Sequence, residues 1–180
     1  MLQFQQQGDL SAFEQLFQRH RDPLFGFLLR LSANEAVAED GSQQTWLRVV
    51  ETARRGGYSA NAAGFQTWLF TLARNWYIDE HVRRHESSRS ITTDRVNEIA
   101  DRRQSDDDEH ENASHDTTAL NETLLTLPFE QREVIVLWAY GFPMKQVADL
   151  TGAPLDTVIS RKKYALQRLR KQLAEPAAVK

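Results

Sequence analysis

A cluster of polar side chains late in the first half of the chain is suited to contacts with unpaired bases and phosphates. It combines guanidinium groups, an amide and a phenol ring, in the order Arg74, Asn75, Tyr77, Arg83 and Arg84. Flat rings stack on bases, cations pair with phosphates, and an amide can donate to and accept from a base edge. These residue types therefore predict a surface for single-stranded nucleic acid.

A second polar cluster, near the C-terminus, is suited to duplex DNA. A short helix from Met144 to Leu150, a turn at Gly152 and a longer basic helix have the form of a helix-turn-helix. Arg161 could read guanine edges, and the residues around it could hold phosphates. The predicted contacts are Thr157, Ser160, Arg161, Lys162, Lys163 and Tyr164. Periodicity and charge alone also allow an ordinary amphipathic helix with a solvated basic face.

Enzyme chemistry finds little support in the sequence. There is no Gly-rich phosphate loop and no nucleophile elbow, and the adjacent acids Glu39–Asp40 and Asp79–Glu80 point to different faces of a helix. The chain has no cysteine, which excludes disulfides and thiolate metal sites. His81 and His85 are four residues apart but lack a third ligand on the same element. We therefore expect no catalysis, no cofactor and no metal.

The charge of the chain is strongly segregated. The net charge of −3 conceals an acidic stretch, residues 86–118, which holds ten acidic and four basic residues. The stretch from Pro154 to Leu173 instead holds six basic residues and one acidic residue. This pattern predicts a basic binding helix and a separate, flexible acidic connector. No apolar run is long enough to cross a bilayer, and the N-terminus lacks a signal pattern, so a cytoplasmic protein is expected.

Helical periodicity places both polar clusters on α-helices, and no strand pattern competes. The first cluster belongs to a helix predicted from about Ala62 to His85, whose apolar face comprises Phe65, Trp68, Leu69, Leu72 and Trp76. Earlier helices are predicted to start at Asp9, a candidate N-cap, and near Asn34. Pro23 is expected to break or kink the first of them.

The tryptophans are predicted to lie mainly in cores. Trp46, Trp68 and Trp138 are assigned to cores, and Leu47 also falls on the inward face of its helix. For Trp76 and Tyr77, packing and base stacking stay open as alternatives.

Both halves of the chain resemble the extracytoplasmic-function (ECF) group of bacterial sigma factors. The second half is similar to region 4 through Leu127-Pro128, Arg132-Glu133-Val134, Gly141, Val147-Ala148, Gly152, Thr157-Val158, Ser160-Arg161 and Leu169-Arg170. The first half is similar to region 2 through Ala38-Glu39-Asp40, Gln43, Trp46-Leu47, Trp68-Leu69, Ala73-Arg74-Asn75 and Asp79. Two regional patterns in the right order make the resemblance specific.

The resemblance implies roles for the polar clusters. Asp40, Gln43, Gln44 and Leu47 would bind core RNA polymerase, with their helix docked on the clamp. Asn75 matches the position that helps to hold a base flipped out of the minus-ten element, and Arg74, Tyr77, Arg83 and Arg84 would accompany it. Residues Thr157 to Tyr164 would read the minus-thirty-five duplex.

The resemblance also implies an organisation and a set of partners. We expect an all-α protein with sigma region 2 at residues 1–88, an acidic flexible linker at residues 89–116 and a sigma region 4 helix-turn-helix at residues 117–180. The implied partners are core RNA polymerase, through its beta-prime clamp and beta subunits, promoter DNA and a cognate anti-sigma factor. No membrane insertion is expected.

Some positions depart from the family pattern. Ile159 and Asp156 replace a basic residue and a glycine that are common in the recognition helix. Gly41 replaces an aliphatic residue, so the polymerase-facing helix is expected to be locally looser there.

Two other classes of protein are weighed against this interpretation. One is a transcription regulator whose first half senses a ligand or a protein. The other is an adaptor held together by helix packing alone.

Overall fold

The protein is described here from a computed structural model covering residues 1–60, 64–90 and 120–174, with the backbone alone for 81–90 and 174. Every regular element within those ranges is an α-helix, which confirms the predicted fold class. The helices are α1 (Leu2–Gln7), α2 (Leu10–Ser32), α3 (Glu35–Arg54), α4 (Gly64–Ser90), α5 (residues 120–125), α6 (Phe129–Ala139), α7 (Met144–Thr151) and α8 (Leu155–Ala174). The predicted linker at residues 89–116 lies outside the described residues, except for its first two, which end α4.

Side-chain caps start the two helices whose beginnings the sequence predicted. The Asp9 carboxylate accepts a hydrogen bond from the Ala12 amide at 3.1 Å, and the Asn34 amide oxygen accepts one from the Val37 amide at 3.0 Å. Each bond satisfies one of the amides that a helix N-terminus leaves without a partner. The predicted starts of α2 and α3 are therefore confirmed.

Helix α2 runs through Pro23 without ending there, so of the predicted break or kink the break does not occur. A proline inside a helix costs about 3 kcal/mol. The turns that follow bury four large apolar side chains completely, and each burial contributes about 1.5–3 kcal/mol. Those side chains are Leu24, Phe27, Leu28 and Leu31. Their combined burial outweighs the cost of the proline.

Helix α1 and the last turns of α4 were not predicted. Helix α1 is fastened to the loop after α3, because the Gln5 side chain donates to the Tyr58 carbonyl at 3.1 Å and accepts from the Tyr58 amide at 2.9 Å. Helix α4 continues to Ser90, five residues beyond the predicted end, although these residues are polar.

Gly41 lets α3 and α4 approach each other closely. It is buried, and a Cβ atom there would lie 2.7 Å from Cε3 of Trp76 and 3.0 Å from Cδ1 of Leu28. The indole of Trp76 thus fills the space that an aliphatic side chain would occupy. The expected local looseness is wrong at this point, because the large ring compensates for the missing side chain.

The second half folds around the helix-turn-helix. Helices α6, α7 and α8 bury one another's apolar side chains, and the turn between α7 and α8 depends on Gly152, whose φ of 67° lies in the left-handed region. The buried side chains are Val134, Leu137, Val147, Leu150, Val158 and Ala165.

The two halves share one apolar core. The Tyr140 ring at the end of α6 lies 6.2 Å from the ring of Phe27 and 5.6 Å from that of Phe70, and Phe142 lies 5.1 Å from Phe70. Arg30 donates a hydrogen bond of 2.7 Å to the Tyr140 hydroxyl. The second half therefore packs on the α2–α4 face of the first, which the sequence did not predict.

The packing of Gly41 against Trp76 generates a stability prediction. Gly41→Ala should lower the free energy of unfolding by about 2 kcal/mol in urea titrations, since overpacking this close to two side chains costs up to about 3 kcal/mol and the gain in helix propensity returns about 1 kcal/mol. In a Trp76→Leu background the same change should cost much less, because the ring is gone. An unchanged or raised stability of the single variant would contradict the packing.

Candidate nucleic-acid interface

Helix α4 points the side chains of residues 74–77, three of which belong to the first cluster, in different directions, because successive residues are 100° apart around a helix. Asn75 is exposed, and Trp76 packs in the core of the first half against Gly41. Arg74 and Tyr77 lie against the second half of the chain. The continuous exposed surface that the sequence suggested is therefore divided in this conformation.

Arg74 is held by two groups of the second half. Its Nε donates to a carboxylate oxygen of Glu133 in α6 at 2.8 Å, and its Nη2 donates to the carbonyl of Thr151 at the end of α7 at 3.3 Å. The side chains of Arg74 and Glu133 are only 14% and 2% exposed. The guanidinium group is thus withdrawn from solvent.

Tyr77 is also covered. Its hydroxyl donates to the Leu31 carbonyl at 3.2 Å, and its ring stacks on that of Phe129 with centroids 5.8 Å apart. The Arg132 guanidinium of α6 lies over the Phe129 ring, 5.9 Å from its centroid. Of the two alternatives left open by the sequence, this conformation has Tyr77 packed, and the same holds for Trp76.

Two charged groups of α6 are buried at this junction. Burial raises the pKa of the Glu133 carboxyl, while the hydrogen bond and charge of Arg74 and the charge of Arg161 act in the opposite direction. Burial lowers the pKa of the Arg132 guanidinium. Glu133 thus lies within electrostatic reach of one arginine from each predicted DNA-contact cluster.

The two other residues of the first cluster lie toward the C-terminal end of α4. Arg83 and Arg84 belong to α4, but their side chains, like those of His81 and His85, lie outside the described residues. Among the side chains that are described, no group of three or more His, Asp or Glu residues could hold a metal ion.

The recognition helix presents most of its predicted contacts to solvent. Thr157, Ser160, Lys163 and Tyr164 are exposed on α8. Leu155 and Ile159 on the same helix are also exposed. Arg161 and Lys162 are half-buried. Four of the six predicted contacts are thus exposed, and the other two are half-buried.

Lys162 lies over an aromatic ring. Its ammonium nitrogen is 3.6 Å from the centroid of the Trp138 ring, within the range of a cation–π interaction. Trp138 is 42% exposed, so its assignment to a core is wrong. It follows the buried run from Arg132 to Leu137 at the end of α6, where the helix leaves the core.

The predicted polymerase contacts form an exposed strip along α3. Asp40, Gln43, Gln44 and Leu47 are all exposed, with Leu47 at 50%. Leu47 therefore does not point inward, contrary to the periodicity of its helix. A groove of about 540 Å³ between α2 and α3 adjoins the strip.

The floor of this groove includes side chains that the sequence did not single out for binding. Phe17 and Phe25 of α2 line it together with Trp46 and Leu47 of α3. No local pattern in the sequence distinguishes these aromatic side chains from ones that pack in a core. Glu133 and Tyr140 also escaped notice as inter-half contacts, because no local pattern marks such a role.

Two family models match the chain, each on one of the halves described above. The description "Sigma-70 region 2" matches residues 16–87, and "Sigma-70, region 4" matches residues 123–171. Their order along the chain agrees with the motifs recognised in the sequence.

Similar proteins carry the same family name. The chain is 36% identical over 169 residues to the ECF RNA polymerase sigma factor SigL of Mycobacterium tuberculosis, covering 93% of this chain and 92% of that protein. It is 30% identical to the ECF RNA polymerase sigma factor RpoE of Cereibacter sphaeroides, covering 92% and 88%.

Two solved structures share the fold. The sigma factor RpoE of Bartonella quintana, in complex with the anti-sigma factor NepR, is similar with a TM-score of 0.69 and 24% identity, covering 92% of this chain and 98% of that one. CnrH, in complex with the cytosolic domain of CnrY, is similar with a TM-score of 0.66 and 22% identity, covering 94% and 92%.

No helix within the described residues is long and apolar enough to span a membrane.

The family matches cover most of both halves, and the relatives align over nearly their whole length. The chain therefore belongs to the ECF group of RNA polymerase sigma factors, non-enzymatic proteins that bind DNA in the initiation of transcription.

Proposed function

We propose that this sigma factor brings core RNA polymerase to specific promoters through separate surfaces of its two halves and helps to open the DNA there. The first half, residues 1–88, binds polymerase and the minus-ten element, and the second, residues 117–180, binds the minus-thirty-five element. The observation that carries the proposal is the open face of α8, where Thr157, Ser160, Lys163 and Tyr164 are exposed on a helix-turn-helix. The factor acts in the cytoplasm.

The exposed strip of α3 is the proposed polymerase surface. It offers one carboxylate, two amides and a half-exposed leucine beside an apolar groove. Protein interfaces typically combine an apolar anchor with a polar rim, and this strip has both. We assign the beta-prime clamp to it, and the beta subunit to the remainder of the factor.

Helix α4 is the proposed minus-ten surface. Asn75 is already exposed and its amide can both donate to and accept from a flipped base. Arg74, Tyr77, Arg83 and Arg84 complete the surface by pairing with phosphates or stacking on bases. Arg74 and Tyr77 contact DNA only after they leave the second half.

A cognate anti-sigma factor is the proposed regulatory partner. The similar sigma factor RpoE of Bartonella quintana was solved in complex with the anti-sigma factor NepR, and the similar CnrH in complex with the cytosolic domain of CnrY. A protein that covered the α3 strip and α8 would block both proposed functions at once.

Transcription from a library of genomic fragments, with this protein and core polymerase, tests the proposal as a whole. We expect a stable complex with polymerase and run-off products from a small set of fragments that share a promoter motif. Sequence-specific binding of duplex DNA without any complex with polymerase would overturn it.

Asn75→Ala should weaken open-complex formation about tenfold while leaving polymerase binding within about twofold, since a good contact to a base edge is worth about 1–3 kcal/mol. Permanganate footprinting of the opened strand and a polymerase-binding titration measure the two effects. Gln15→Ala, which removes an exposed amide from α2, should change neither. An equal loss of opening and polymerase binding would count against base recognition.

Leu47→Glu should weaken binding to core polymerase at least tenfold, because an apolar anchor at an interface is worth about 2 kcal/mol or more. Leu47 is half-exposed, so the unfolding free energy should change by less than about 0.5 kcal/mol. Leu10→Glu, at another exposed leucine, is the matched control and should bind polymerase normally. Normal binding by both variants would exclude the α3 strip as the docking surface.

Lys163→Ala should weaken promoter binding by the complete holoenzyme to a similar extent on all promoters and flatten its salt dependence. Loss of one phosphate contact lowers the slope of log K against log salt by about 0.9. A titration at several salt concentrations measures the slope. A change of promoter preference with an unchanged slope would instead indicate that Lys163 reads bases.

A further inference from the structure

The second half of the chain covers the face of α4 that carries Arg74 and Tyr77. Helix α6 supplies Glu133 and Phe129 to these two residues, and the end of α7 supplies the Thr151 carbonyl. Tyr77 is only 7% exposed. A strand of DNA cannot reach either side chain along this face.

The Glu133 carboxylate binds Arg74 in the way that a DNA phosphate would. Its carboxylate accepts a charge-assisted hydrogen bond from Arg74, as a backbone phosphate oxygen would. Nε and Nη2 of Arg74 are both directed at the second half, which leaves the side chain only 14% exposed, so a phosphate could reach the guanidinium group only after these contacts break. DNA and α6 therefore compete for one guanidinium group.

We propose that the free protein is held in a closed state by its own second half and that this state must open before α4 can engage DNA. Two contacts hold it closed: the ion pair of Arg74 with Glu133, and the packing of Tyr140 on α2, which we call the Tyr140 seat. The inhibitory part of this inference rests on the proposed role of α4 in minus-ten binding. The closure itself rests only on the contacts between the two halves.

The seat of Tyr140 depends on a glycine of α2. A Cβ atom at Gly26 would lie 2.5 Å from the Tyr140 hydroxyl oxygen and 2.8 Å from Nη1 of Arg30, and the next atom, Cζ of Tyr140, would be 3.8 Å away. Apart from the flexible end of the Arg30 side chain, the atoms that this Cβ would meet thus all belong to Tyr140 of the second half. Only a residue without a side chain lets the hydroxyl reach this surface of α2.

Gly26 therefore offers a selective way to open the protein. Gly26→Ala places a methyl group 2.5 Å from the Tyr140 hydroxyl, which forces that side chain to move from its place on α2. This change is expected to shift the ratio of closed to open molecules at least tenfold. Within α2 the same change replaces a mid-helix glycine with a better helix former, so the first half keeps its own fold.

The distance between the halves is the direct readout. The chain has no cysteine, so donor and acceptor dyes can be attached to cysteines introduced at the exposed residues Glu51 and Gln167. We expect high transfer efficiency in the otherwise unchanged protein and a clear fall in Gly26→Ala. Gly57→Ala, whose methyl would meet only Thr52 of the first half, is the matched control and should leave the efficiency unchanged.

A second substitution tests whether the hydroxyl is the cause. Tyr140→Phe removes the atom with which the new methyl collides, so Gly26→Ala combined with Tyr140→Phe should recover much of the lost transfer efficiency. An efficiency that Gly26→Ala leaves unchanged, or that Tyr140→Phe does not restore, would overturn the proposed seat.

The inhibitory part has a separate readout. At limiting factor, Gly26→Ala should increase open-complex formation with core polymerase several-fold over the parent protein. If the halves separate in Gly26→Ala without any gain in initiation, the inhibitory part of the inference is wrong, but the closed state of the free protein still stands. A total absence of promoter-specific initiation by the parent protein would instead count against the proposed function, and the distance measurement would be unaffected.

Discussion

The buried ion pair between Arg74 and Glu133 is the constraint on which the arrangement of the two halves depends. The two charges are 2.8 Å apart and almost fully withdrawn from water. Breaking such a pair by removing one partner costs about 3–5 kcal/mol, because the other charge is left buried and uncompensated. As long as Glu133 lies inside the junction, a cation must accompany it, and the first half supplies that cation from α4, its proposed minus-ten helix.

The pair is nevertheless not a strong source of net stability. Burial has the largest effect on the pKa of Glu133 and raises it, so the attraction of Arg74 does not fully offset the loss of solvation. Much of the cohesion of the junction therefore comes from the rings of Phe27, Phe70 and Tyr140. Such an interface fixes which residues of the two halves face each other. It is also weak enough for a competing ligand to displace it.

The surfaces of the protein fall into two classes with respect to this junction. The α3 strip and the outer face of α8 stay open to solvent, whereas Arg74 and Tyr77 are covered. On this account polymerase docking does not require the halves to separate, but strand capture by α4 does. Closure thus acts on the step at which DNA is opened, and Asn75 is the one described member of the minus-ten cluster that is exposed before it.

Local features of the sequence were predictable, and features decided by tertiary packing were not. Asp9, Asn34 and Gly152 mark helix ends because their effects act within one turn. Helix α2 continues through Pro23 because burial of the side chains that follow outweighs the local preference of proline. Trp138 is exposed because α6 leaves the core there, and the fit of Trp76 to Gly41 is visible only across two helices. The motifs predicted the two sigma regions, and the residues proposed to bind DNA stay a prediction. No pattern in the sequence indicates that Glu133 meets Arg74 across 59 residues.

The distance between the two halves in successive complexes tests the central claim most directly. The labelled pair at Glu51 and Gln167 can be followed in the free protein, bound to core polymerase and in the open promoter complex. A closed free state predicts high transfer efficiency at the start and low efficiency once the promoter is open. High efficiency that persists in a complex with melted DNA would show that α4 engages DNA without leaving α6, and would contradict the account.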